Sequence, residues 1–169
     1  MIENDIKLNF PATWEKIEKE NFSKYRIFST DFAPCLFAFR TVNNENTYII
    51  TINNYGENIE KMVNELKQNL KAIEERNLLI DNYETALIIP IFYDYMEICG
   101  EKAFVNLLKV KNDLDEFVYT IQILLEINNS MFCFASPVFD VIETNALNSV
   151  LNNFVIKQLI DVVIKSAIN

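Results

Sequence analysis

Apolar and polar residues alternate over Ile6-Lys7-Leu8-Asn9-Phe10, and the alternation then meets Pro11 and Trp14. A period of two predicts a strand over 6–10 that the proline ends. Residues 25–29 read as a second short strand. Residues 36–42 and 47–53 are rich in apolar and β-branched types, and the polar run Asn43-Asn44-Glu45-Asn46 separates them. That pattern predicts a β-hairpin with a four-residue loop.

The period then changes. Ile59, Met62, Val63, Leu66, Leu70 and Ile73 recur at three and four, which predicts an amphipathic helix over 57–75. Glu57 and Lys61 stand one turn apart on its outer face. Strand character returns at 78–80 and again over 86–95, where Pro90 implies an edge strand or a bulge. After Gly100, strands over 103–111, 116–127 and 131–136 are separated by polar turns at 112–115 and Asn128-Asn129, and Pro137 ends the last. These form a meander of hairpins. Leu147, Val150, Leu151 and Phe154 fit one helical face, and Leu159, Ile160, Val163, Ile164 and Ala167 fit another. The phase breaks near Val155-Ile156, so a bend or two helices is expected there. The order of strands, helix, strands and helix predicts one α+β domain over 1–169. Its architecture is a single twisted antiparallel sheet with helices packed on one face. The domain core covers about 6–155, and 156–169 form a C-terminal helical extension.

The opening Leu8-Asn9-Phe10-Pro11-Ala12-Thr13-Trp14, with Gly100-Glu101-Lys102-Ala103 leading into a strand meander, resembles the PsbP-like family. That family includes the photosystem II extrinsic subunit, the Ran-release factor Mog, DcrB-like bacterial proteins and the Eag adaptor-chaperones of type VI secretion. Three features depart from its pattern. Cys99 stands where a second glycine is usual, 78–97 is longer than expected, and the tail after Phe154 is an addition. The resemblance implies a binding module with no catalytic set.

Composition adds detail. Only Gly56 and Gly100 are glycines, so turns fall to the pairs Asn43-Asn44, Asn53-Asn54, Asn128-Asn129 and Asn152-Asn153. The formal charge of −9 is uneven: residues 1–76 carry ten basic and twelve acidic side chains, and 77–169 carry five and twelve. No basic stripe is available for phosphates, which argues against a nucleic-acid partner. The acidic second half would steer a basic protein partner favourably. Cys35, Cys99 and Cys133 are isolated in apolar surroundings, as expected of buried thiols in a reducing compartment. The start of the chain has no charged segment followed by an apolar one, and no apolar run reaches the length of a membrane helix. A cytoplasmic protein without membrane insertion is expected.

Chemistry is sparse. With no histidine, Ser-His-Asp, Cys-His and most zinc arrangements cannot be built. Two glycines support neither a dinucleotide fingerprint nor a P-loop. Asp113, Asp115 and Glu116 cluster at a turn, and Cys35 follows Pro34 without a neighbouring cation to activate it. No catalytic residue, cofactor or metal is therefore expected. Two features point to protein contact. Residues 103–111 and 86–95 are apolar on both strand faces, so both faces of the sheet need covering, by the tail helix, a second copy or a partner. The stretch 81–101 holds Asp81, Glu84, Asp94, Glu97 and Glu101 with Tyr83, Phe92, Tyr93 and Tyr95, and no basic residue. Asp81, Glu84, Phe92, Tyr93, Asp94, Tyr95, Glu97 and Glu101 are the candidate protein-binding residues. The expected partner is an apolar client segment held by an adaptor or chaperone, or else a basic toxin held by an immunity protein; a small-molecule binder or enzyme, which would need a deep pocket with convergent polar groups, is the third alternative.

Overall fold

A computed structural model describes residues 8–79, 86–98 and 100–168, with the side chains of 166–168 left aside. Within these residues one antiparallel sheet contains β1 (Glu15–Lys16), β2 (Cys35–Asn43), β3 (Asn46–Gly56), β4 (Ile88–Ile98), β5 (Glu101–Lys111), β6 (Phe117–Ile127) and β7 (Ser130–Val138). The strand order is β1-β2-β3-β7-β6-β5-β4. Helix α1 (Ile59–Leu78) links β3 to the β4 edge, and α2 (Ala146–Leu151) and α3 (Phe154–Ile168) follow β7. The fold is α+β, as the order of periods predicts.

Asparagines make the tight turns. Asn44 and Glu45 have φ of 49° and 67°, and Asn128 and Asn129 have 51° and 64°. They lie between the paired residues Asn43↔Asn46 and Ile127↔Ser130. Both hairpins therefore have two-residue loops with two left-handed residues, the geometry that matches strand twist. The first loop is thus two residues long, not four. Asn53-Asn54 makes no turn but lies inside β3, with both side chains buried.

Other expectations shift for local reasons. Residues 8–10 form no strand; Phe10 instead packs on Phe39, ring centroids 4.2 Å apart, and Ile6 lies outside the described residues. Residues 25–29 are a turn and an irregular segment held by Asn53, whose Nδ2 donates to the Phe28 and Ala33 carbonyls at 3.0 Å each. Residues 78–79 end α1 and cap it. Pro90 is both things its position implied: β4 is an edge strand, with a bulge between Pro90 and Phe92. Pro137 lies within β7, beyond Ala135, the last residue paired to β3, so its missing N–H costs that ladder nothing. The helix break falls at Asn152-Asn153. There Asn153 Oδ1 accepts from the Val155 and Ile156 N–H groups at 2.9 and 3.1 Å, an N-cap that starts α3 at 46° to the preceding helix.

The helices, expected on one face, divide between two. On the first face, Val155, Ile156, Leu159, Val162 and Val163 of α3 pack on Ile50, Ile52, Val105, Leu107, Ile121, Ile123, Phe132 and Phe134. The residues after 155, expected as an extension, therefore supply the centre of the main core. Trp14 joins this face, donating Nε1–H to Gln158 Oε1 at 3.2 Å. On the second face, Val63, Met62 and Leu66 of α1 pack on Phe104, Leu124, Met131 and Cys133. The irregular chain before β2 covers another part of that face, with Ile17, Phe22, Tyr25 and Ile27 against Cys35, Ala38 and Ile49. The physical cause is the two-sided apolar character of β5, β6 and β7, which gives each face something to bury.

Candidate functional site

Strand alternation and register define what remains open on the second face. One row across the sheet is Tyr93, Asn106, Gln122, Ala135 and Thr51. The next is Pro90, Leu108, Thr120 and Pro137, and beyond it lie Ile88, Val110 and Val118. Asn106 is buried; the others in these rows are only half-buried. Helix α1 covers one end of this face, and the chain before β2 covers the other. Between them runs an apolar trough. Arg26, on the irregular side, forms an ion pair with Asp113 at the tip of the β5–β6 hairpin.

Two cavities of about 250 Å³ each lie on this face. One is lined by Tyr55, Met62, Leu66, Gln122, Leu124 and Met131, against α1. The other is lined by residues that include Tyr25, Ile27, Phe28, Thr51, Thr120 and Pro137, against the irregular segment. Phe28 and Phe32, next in the chain, are strongly exposed.

Burial governs the ionisable groups beside the first cavity. Burial pushes the Cys133 thiol up to about 12, although the Tyr55 hydroxyl bonded to it works the other way. Burial also raises the Tyr55 hydroxyl and the Cys35 thiol. Cys35 and Cys133 both face Asn53, from strands on either side of it. Two strand spacings separate them by about 9.5 Å, beyond disulfide reach. Cys99 lies outside the described residues.

The acidic-aromatic residues come together only in part. Asp81 and Glu84 lie outside the described residues, as does Tyr83. Phe92 packs into the first-face core. Tyr93 packs under α1, and its hydroxyl donates to Glu74, which pushes it up to about 12. Tyr95 is 38% exposed, edge-on to Phe104 at 5.4 Å, and the Lys102 ammonium stands 4.3 Å from its ring centroid. Asp94 is 3.6 Å from Lys67 of α1, and Glu97 pairs in register with Lys102. Glu101 is exposed. Lys67 of α1 and Lys102 of β5 thus stand beside Asp94 and Glu97, within a stretch 81–101 that itself holds no basic residue. Nothing in the sequence marked Tyr55, Met62, Leu66, Asn106 or Gln122 as one site, because they come from four elements.

Among the described residues no three Cys, Asp or Glu side chains converge as metal ligands. Asp113 and Asp115 sit at an exposed hairpin tip, where Asp115 pairs with Lys111 at 3.3 Å. No single helix among the described residues is long and apolar enough to cross a membrane. No family model matches the chain, and no curated protein matches its sequence.

Proposed function

We propose that this chain is a non-catalytic protein-binding module, an adaptor or chaperone that holds an apolar segment of a client protein. The observation that carries the reading is the half-covered second face of the sheet, an apolar trough framed by α1 and the chain before β2. Such a surface is costly to leave in water and gains from a partner. The PsbP-like resemblance, through its Eag members, favours the same role. A photo-crosslinking residue at Thr120, in the trough, and one at Lys157, on the exposed side of α3, test it in the native cell. Adducts from position 120 that map to an apolar segment of one protein, and are absent from 157, are expected. Equal adducts from both positions, or none, would overturn the reading.

A second reading is neutralisation of a basic toxin through the exposed edge residues Asp94, Glu97 and Glu101. Lys67 and Lys102 weaken it by standing beside these carboxylates. Reversal of Asp94 and Glu97 to Lys would abolish such a complex and leave a trough-bound client in place.

A further inference from the structure

The chain before β2 crosses the second face as a strap with pinned ends. At one end the buried Ile17 donates its N–H to the Ala38 carbonyl at 2.8 Å. At the other, the Asn53 side chain holds the Phe28 and Ala33 carbonyls, and the Asn54 N–H donates to the Pro34 carbonyl at 3.0 Å. Between these points the strap is bonded to itself. The N–H groups of Asn21, Phe22, Tyr25, Arg26 and Ile27 donate, in that order, to the carbonyls of Glu18, Lys19, Asn21, Ser23 and Phe22. Residues 18–27 can therefore swing as a unit between 17 and 28 without breaking any of these bonds.

What holds the strap down is modest. Phe22, Tyr25 and Ile27 pack, only partly buried, on the β2–β3 side of the face. Towards β6 the strap roofs a void. Residues 25–28 form one wall of the second 250 Å³ cavity, and Thr51, Thr120, Ala135 and Pro137 form its floor. A void forfeits the close contacts that a seated cover would make. Beyond it, Arg26 reaches Asp113 at the β5–β6 tip, and the two side chains are 79% and 69% exposed. An ion pair that open to water contributes little and is screened by salt. Arg26 also has φ of 56°, in the left-handed region that arginine rarely enters, so this contact is made against backbone strain.

We infer that residues 18–27 are a lid that gates the trough, with the Arg26–Asp113 pair as its latch. The inference rests on the trough being the client surface. With the latch made, residues 25–28 stand over Thr120 and Pro137, the β6–β7 half of the row that continues through Leu108 to Pro90. With the latch released, that half joins the open part of the trough and lengthens the apolar floor for a client segment. The pinned ends return the lid to the same place.

The test uses the full chain with Cys99→Ala and Thr120→Cys, and reads the rate at which a maleimide labels the thiol introduced at 120. Asp113→Lys is expected to raise that rate about two- to fivefold at low salt, the range an exposed ion pair supports. One molar sodium chloride is expected to do the same with the latch intact and nothing further in Asp113→Lys. The exchange Arg26→Asp with Asp113→Arg is expected to restore slow, salt-sensitive labelling. A thiol placed by Lys157→Cys, on the other face, is expected to respond to none of these changes. Labelling at 120 that ignores both salt and Asp113→Lys would overturn the lid, as would an equal response at 157. The crosslinker at 120 separates the two readings. Client adducts that rise in Asp113→Lys support both. Adducts without a labelling response would overturn the lid alone, and a labelling response without adducts would overturn the client surface.

Discussion

At the residue scale, burial decides the chemistry of the thiols. Cys133 is raised from 9.0 to about 12 by desolvation, so the folded chain keeps its proton where the unfolded chain has lost it. A raised folded value means that its contribution is complete below pH 9 and is lost as pH climbs towards 12. Denaturant titrations should therefore show stability falling across that window, and a smaller fall in Cys133→Ala. The native protein should also leave Cys35 and Cys133 unmodified by a thiol reagent until denaturant is added, because thiolates and not thiols react. That these cysteines are buried could be read from their apolar neighbours. That they share Asn53, and cannot form a disulfide, could not, since the register of three strands sets it. Asn53 makes the same point. In the sequence it is half of an Asn-Asn turn signal, and in the fold it is a buried clamp on the Phe28 and Ala33 carbonyls.

Among the elements, the hairpins and helices were the most legible, because their signals are local. The β2–β3 turn places Glu45 at φ 67°, a conformation that glycine adopts without strain. Glu45→Gly should stabilise the protein by about 0.5–1 kcal/mol, measured by chemical denaturation, because relief of left-handed strain exceeds the added freedom of the unfolded chain. The periodicity at 59–73 placed α1 correctly to within a few residues, yet gave no hint of how weakly it is held. Its buried residues are Val63, Leu70 and Asn77, whereas α3 buries Val155, Ile156, Leu159, Val162 and Val163. Amide hydrogens of α1 should exchange faster than those of α3, as expected of an element that flanks a binding surface. The edge strand β4 was also foreseen from Pro90, because a missing N–H limits where a strand can sit.

For the whole molecule, the two faces of one strand give the sharpest contrast. Ile121 of β6 is fully buried beneath α3, whereas Thr120, its neighbour, opens into the trough. Ile121→Ala should cost about 2–5 kcal/mol by cavity formation, and Thr120→Lys should stay within about 0.5 kcal/mol while weakening the client contact. Chemical denaturation and the crosslinking assay read the two effects separately. The sequence by itself determined the types of α1 and of the strands from β2 onward, the turns at Asn43-Asn44 and Asn128-Asn129, the edge position of β4 and the lack of histidine, since periodicity, φ preference and residue inventory are local properties. It also determined that both sheet faces are apolar. Only the tertiary structure decided which helix covers which face, that residues after 155 belong to the main core, and that Lys67 of α1 stands beside Asp94. It alone brought Gln122 beside Met62 and Leu66 of α1. These outcomes depend on strand order and register, which pair residues far apart in the chain and leave no periodic trace in it.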